Sequence, residues 1–231
     1  MTRAMNLEPL HPLPMNFDYQ PPTEPWLTVV AADDDLVVLD KPSGLLTVPG
    51  KDPAMADCLE ARARARFPTA AVCHRLDKDT SGILVMALNK PALGHIGQEF
   101  EQRRAKKTYV ARVWGDVAGD EGEIDLPLAT DWENKPRQRV DYERGRQSRT
   151  GWRVEAREPG GITRLRLFPH TGRTHQLRVH LRALGHPIIG DSFYATGAAL
   201  AAADRLQLHA EELAFNHPQG HWVHYVIPAP F

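Results

Sequence analysis

His74-Arg75-Leu76-Asp77-Lys78-Asp79-Thr80-Ser81-Gly82 runs directly into Ile83-Leu84-Val85-Met86-Ala87-Leu88. The second half is a short continuous apolar run, the pattern of a strand buried on both faces. The first half places charged and hydroxyl side chains and a closing glycine at the edge of that strand, where functional loops concentrate. Taken as residues, the loop supports several chemistries. Asp77, Asp79, Ser81 and Gly82 fill the opening positions of an EF-hand calcium loop, but the position that needs a bidentate Glu is Leu88. Asp77-Lys78-Asp79 also resembles the nucleophile loop of a magnesium-dependent aspartyl-phosphate phosphatase. That chemistry needs an apolar strand leading into the nucleophile and downstream acids for the metal; here His74-Arg75 interrupts the approach and Asp33 to Asp35 lie upstream. A capped turn whose aspartates bond to backbone is the structural alternative.

Outward from this loop, branched and aromatic runs predict strands over Trp26 to Ala31, Leu36 to Leu39, Ile83 to Leu88, Thr108 to Trp114, Thr163 to Phe168 and Trp222 to Ile227. In Thr163 to Phe168, Arg164 and Arg166 share one face and Leu165 and Leu167 the other, which predicts a half-buried strand with a basic outer face. Helices are predicted over Pro53 to Phe67, with Asp52 as N-cap, over Pro91 to Arg104, and over Thr174 to Leu184, where Leu177, Leu181 and Leu184 form a stripe and Gly185 the stop. Strands and helices do not alternate strictly, so the expected class is α+β with a mixed, largely antiparallel sheet. Residues 1 to 25 carry six prolines without periodicity and read as an extended or disordered arm, with one catalytic domain over residues 26 to 231.

Composition narrows the function. Hydrophobic residues at 42% and charged residues at 25% exclude a chain disordered throughout. Two cysteines, Cys58 and Cys73, are too few for a disulfide framework or a cysteine-rich zinc site, and no apolar run approaches the roughly 20 residues of a membrane span. With no secretory signal pattern near the start, the expected location is the cytoplasm, without membrane partners. The net charge of -1 hides an asymmetry: acids dominate Met1 to Asp40, whereas Arg164, Arg166, Arg173, Arg178 and Arg182 occur in a stretch without an acid. Arg103, Arg104, Lys106, Lys107 and Arg112 form a second basic run, so one positive face for nucleic acid is expected; solvated faces paired with acids elsewhere are the alternative. His170, His175 and His180 do not make a metal site, because a spacing of five on a helix turns the side-chain direction by about 140°.

The motif His74-Arg75-Leu76-Asp77 with Thr80-Ser81-Gly82 resembles the signature of the RluA-type pseudouridine synthases. It recurs with that family's other segments in order: Lys41-Pro42-Ser43-Gly44-Leu45, Lys106-Lys107-Thr108-Tyr109-Val110-Ala111, Thr171-Gly172-Arg173-Thr174-His175-Gln176-Leu177-Arg178-Val179-His180, Gly190-Asp191-Ser192-Phe193-Tyr194 and Leu208-His209-Ala210. Asp125-Leu126-Pro127-Leu128, Asp131-Trp132 and Asn134-Lys135-Pro136 resemble the compact, dual-specificity members that modify both 23S rRNA and tRNA. Larger relatives carry an S4-type RNA-binding module, and the 25 residues before Trp26 are too few to hold one.

The resemblance implies the pseudouridine synthase fold with flanking helices and a central RNA-binding cleft, and a reaction that breaks the N1–C1′ bond of a uridine, turns the uracil and joins C5 to C1′. This isomerisation has no net redox change, so no cofactor is expected, and the chain is expected to act as a monomer on RNA stem-loops, including a tRNA anticodon arm. It needs an anionic group beside the sugar and base, a closed pocket, and something to fill the helix after base extrusion. The resemblance assigns the anion to Asp77, a charge-supporting guanidinium to Arg178, a ring stacked on the target base to Tyr109, and the filling of the vacated stack to Arg75. Lys106, Lys107, Arg164, Arg166 and Arg173 are the further candidate RNA contacts. Action on a single rRNA or tRNA site, a non-catalytic RNA-binding module, and the phosphatase are the alternatives.

Overall fold

In a computed structural model, residues 9–12 and 18–231 are described. Among these the strands are β1 Thr28–Ala32, β2 Leu36–Lys41, β3 Ala71–Val72, β4 Ser81–Ala87, β5 Lys106–Trp114, β6 Glu121–Asp125, β7 Leu128–Thr130, β8 Gln138–Val140, β9 Arg149–Glu158, β10 Ile162–Pro169, β11 Leu208–Asn216 and β12 Trp222–Val226. The helices are α1 Leu59–Arg66, α2 Lys90–Glu101, α3 Gln176–Ala183 and α4 Gly197–Ala201. The chain divides into two compact units, one of Asp18–Thr108 with His209–Phe231 and the other built on Tyr109–Leu208. No helix among the described residues is long and apolar enough to cross a membrane.

In the first unit β4 is the central strand. It pairs antiparallel with β2 and β3 and parallel with β11, which carries β12 antiparallel on its other side. Every residue of β4 is buried, as its apolar run predicts. One face packs Leu36, Val38, Ile83 and Val85 against Ala92 and Ile96 of α2. That helix begins where Asn89 accepts a hydrogen bond from the Ala92 amide and ends before Arg103, whose φ of 58° lies in the left-handed region. The body of this unit also takes in residues before Trp26: the Tyr19 hydroxyl donates to the Asp57 carbonyl and accepts from the Leu46 amide.

The predicted helix over Pro53 to Phe67 is two pieces. Asp52 caps a single 3₁₀ turn at Pro53–Met55, and α1 starts six residues later than predicted, at Leu59. The break has a hydrogen-bonding cause: the Leu59 and Glu60 amides donate to the Leu46 and Thr47 carbonyls, and Cys58 Sγ takes the Ala61 amide. The first turn of α1 is therefore satisfied by partners outside it and has no need of a preceding turn.

The second unit is antiparallel in the order β5-β10-β9-β6. Leu165 and Leu167 of β10 point into a core with Ala111, Val113, Leu177 and Leu181, while Arg164 and Arg166 lie on the opposite face, the division the alternation predicts. Helix α3 ends as predicted: Gly185, at φ +96°, lets its own amide and that of His186 return to the Arg182 and Leu181 carbonyls. Strands β7 and β8 form a separate hairpin. The architecture is thus α+β with mixed, mostly antiparallel pairing.

Candidate active site

Asp77 lies on the irregular segment between β3 and β4, and its main chain is fixed by the loop that follows β2. Lys41, fully buried, donates from Nζ to the carbonyls of Lys78 at 2.8 Å, Leu45 at 2.7 Å and Pro42 at 2.9 Å. The Gly44 amide donates to the same Lys78 carbonyl, the Ser43 hydroxyl to the Asp79 carbonyl, and the Thr47 hydroxyl to the Leu76 carbonyl. Leu76, Lys78 and Asp79 are held from one side while the Asp77 side chain remains half-buried. Burial pushes the Lys41 ammonium down to about 7, opposed by the charges of Asp79 and Asp77. Nothing in the Lys41 to Leu45 segment signals its task in the sequence; in the structure it frames the Asp77 loop.

The strand side of the loop is fixed as firmly. His74 Nε2 accepts the Val85 amide at 3.1 Å and the ring stacks on Phe100 at 4.4 Å, so this imidazole is neutral; burial, then the charge of Lys107, pushes it down to about 3. Burial likewise lifts the Cys73 thiol to about 11, which makes it inert. Ser81 bonds to His209 Nδ1 at 2.8 Å, and Gly82, at φ +114°, sits so close to β11 that a Cβ there would meet the Ala210 carbonyl oxygen at 2.2 Å. The Leu208-His209-Ala210 segment therefore backs the end of the loop. Arg75 is exposed, as is Lys106; Lys107 is half-buried, with Nζ 5.9 Å from the Phe100 ring centroid.

Five of the predicted site residues, Tyr109, Arg164, Arg166, Arg173 and Arg178, belong to the other unit. Arg178 forms a two-pronged ion pair with Asp191, Nε to Oδ2 at 2.8 Å and Nη2 to Oδ1 at 2.7 Å, and both side chains are essentially without solvent. Asp191 Oδ1 also accepts the Phe193 and Tyr194 amides, which seats both rings against the guanidinium. The role of Asp191 is marked in the sequence only by its place in a Gly-Asp-Ser turn ahead of two aromatics. Tyr109 packs against the core of Ala111 and Val113. Arg164 and Arg166 both donate to Glu155 on β9, so the acid-free stretch of sequence is neutralised in part from a neighbouring strand. Arg173 is half-buried, and its Nε has no hydrogen-bond partner.

The three histidines of this region have separate tasks. His180 bonds to Thr150 and Leu126, His175 to the Tyr194 hydroxyl, and His170 lies 3.9 Å from Glu123. Elsewhere among the described residues, Asp33, Asp35 and His217 bring ligand-type atoms within 4.8 Å of one another. These atoms are engaged internally: His217 with Asp33 and the Gln219 amide, Asp35 with Asn89 and Gln219.

Residues 35–183 match the sequence profile of the RNA pseudouridylate synthase family. The chain is 48% identical to the "Dual-specificity RNA pseudouridine synthase RluA" of Vibrio vulnificus, over 93% of this chain and 88% of that protein. It is 50% identical to the protein of the same name from Yersinia pestis, over 89% of this chain and all of that protein. Among solved structures, human RNA pseudouridylate synthase domain containing 1 aligns with a TM-score of 0.75 at 31% identity, covering 89% of this chain and 84% of that one. The chain belongs to the RNA pseudouridylate synthase family and is an isomerase that converts uridine in RNA to pseudouridine.

Proposed function

We propose that the protein isomerises particular uridines in short stem-loops of both 23S rRNA and a tRNA anticodon arm, with Asp77 as the catalytic carboxylate. The observation that carries this reading is the framing of the Asp77 loop by Lys41, Ser43, Gly44 and Thr47, which fixes the main chain on both sides of Asp77. Rigid presentation is what a nucleophile or base acting on an extruded nucleotide requires. The N1–C1′ bond breaks, the uracil turns, C5 bonds to C1′, and the proton lost from C5 is balanced by one gained at N1. In this reading Arg178, fixed by Asp191, favours the ionised carboxylate, and Tyr109 stacks on the uracil.

Arg75, exposed and planar, takes the place of the extruded base. Lys106, Lys107 and Arg173 hold phosphates; Arg164 and Arg166 do so in competition with Glu155. The dual target is supported by the dual specificity for which the bacterial relatives are named and by the low cost of flipping partly unstacked loop bases. A compact catalytic domain over residues 26 to 231, working as a monomer in the cytoplasm, fits the same reading.

The test offers purified protein an isolated anticodon stem-loop, a 23S rRNA hairpin and both sequences as unstructured strands, with pseudouridine mapped at nucleotide resolution. Modification of both folded RNAs and neither strand is expected. Modification of only one folded RNA removes the dual target. Wild-type turnover by Asp77→Asn, which keeps shape but loses charge, removes the catalytic assignment.

A further inference from the structure

Among the described residues, the buried arginines follow a rule with one exception. Arg62, at 1% exposure, donates to both Asp57 oxygens and to the Trp26 carbonyl. Arg178, at 2%, is saturated by Asp191. Arg137 is 4% exposed, its Nε has no hydrogen-bond partner, and among the described residues its guanidinium makes no hydrogen bond or ion pair. Burying the Nε donor without an acceptor is costly, and folds retain such groups where a ligand completes them.

The surroundings specify what is missing. The acidic groups that act on Arg137 electrostatically are Tyr194, whose hydroxyl is engaged by the Gln138 amide and His175, and then Asp131 and Asp191. Asp191 is occupied by Arg178 and by two amides, and Asp131 Oδ2 accepts from Asn134. Arg182 is a second cation, near enough that the charge of Arg137 holds its guanidinium below the usual value alongside burial. The backbone at this point is rigid: the Arg137 amide bonds to the Asn134 carbonyl, its carbonyl accepts the Asp131 amide, and the next amide, Gln138, donates to the Tyr194 hydroxyl. A fixed cation without an acceptor beside a second cation calls for an oxyanion.

The same turn of the β7–β8 hairpin carries Trp132, 73% exposed, with the Lys135 ammonium 3.7 Å from its ring centroid. An exposed indole in the same turn as a site for an oxyanion is the pairing that binds a nucleotide, stacked base beside phosphate. We propose that Arg137 binds a backbone phosphate of the substrate RNA and that Trp132 stacks on an adjacent unpaired base. This rests on RNA being the substrate and is independent of the assignment of Asp77.

Binding is therefore measured on the Asp77→Asn protein, which separates it from turnover, with a labelled anticodon stem-loop across a salt series. Arg137→Met is expected to weaken binding about tenfold and to lower the slope of log Kd against log salt by about 0.7 to 0.9, the share of one phosphate. Trp132→Ala is expected to weaken binding without changing the slope. Because Arg137 has no partner to lose, Arg137→Met is also expected to melt at or above the wild-type temperature, which no structural role for this arginine would allow. Unchanged affinity and slope in Arg137→Met would overturn the proposal, as would a lowered melting temperature. Inorganic phosphate is the second probe: stabilisation of the Arg137-containing protein by phosphate with no Arg137 effect on the RNA slope would make this a free-anion site and overturn the RNA assignment.

Discussion

The Lys41 ammonium donates a 2.8 Å hydrogen bond to the carbonyl of Lys78, one residue beyond Asp77. Two more carbonyls complete its shell, and none of its acceptors is a side chain. Lys41→Met would leave three carbonyls without this donor in a solvent-free site, a loss of about 2 to 4 kcal/mol at roughly 1 kcal/mol each. The expected result is a lower melting temperature together with a fall in kcat that exceeds any change in KM, since the loop and not the RNA surface is disturbed. Lys41→Arg should not restore activity, because a site closed around an ammonium has no room for the larger guanidinium. Full kcat in Lys41→Met would show that the clamp is dispensable.

His74 gives the protein an acid sensitivity with a definite sign. Its folded-state value of about 3 lies below the usual 6.5, so between these pH values the unfolded chain binds a proton that the folded one excludes. Stability is fully present above pH 6.5 and is lost as pH falls toward 3, with a slope of at most about 1.4 kcal/mol per pH unit, reduced because the ring is only half-buried. His74→Gln keeps an acceptor for the Val85 amide and cannot titrate. Its melting temperature relative to wild type should rise as the pH is lowered from 7 to 4, and parallel curves would remove His74 as the source.

Gly82 is irreplaceable for a backbone reason. At φ +114°, with the Ala210 carbonyl oxygen 2.2 Å from where a Cβ would stand, Gly82→Ala is both strained and blocked. The obstacle is main chain of β11, which cannot turn aside as a side chain would. Soluble yield and melting temperature should collapse in Gly82→Ala, while Gly94→Ala on α2, where nothing lies within 4 Å of the added methyl, should be neutral or stabilising.

How much of this was legible varies with the physics that shaped each element. Strands β2, β4 and β10 were visible because burial writes itself into apolar runs and alternation. Strand β11 was not: Leu208-His209-Ala210-Glu211-Glu212-Leu213-Ala214 is rich in helix formers, and it is extended because it pairs with β4 and β12. Strand β9 was hidden by its charges, which become cross-strand pairs such as Arg149–Glu123 and Arg164–Glu155. At the site, the Asp77 loop stood out as a polar cluster against a buried strand. The tasks of Lys41 and Asp191 did not, since the acceptors of one are distant carbonyls and the partner of the other is reached by folding back from α3.

The Arg178–Asp191 pair should behave as one energetic unit. Both side chains are almost free of solvent, so each charge has lost its hydration and depends on the other. Asp191→Ala leaves a buried guanidinium short of its acceptors and frees the Phe193 and Tyr194 amides, a loss of about 3 to 5 kcal/mol. In a chain of this size that corresponds to a melting temperature lower by roughly 6 to 20 °C. Asp191→Asn keeps one oxygen for the two amides and loses the charge, so it should fall between Ala and wild type. The double variant Arg178→Met with Asp191→Leu removes both desolvation costs and should recover much of the stability lost by Asp191→Ala alone, since apolar replacement of a buried pair is often near neutral. If Arg178 also acts on the reacting carboxylate, the double variant will fold and still fail to form pseudouridine. Calorimetry and a single-turnover assay on the same preparations separate the two effects: a double variant no more stable than Asp191→Ala removes the pair as a unit, and a stable, active one removes Arg178 from catalysis.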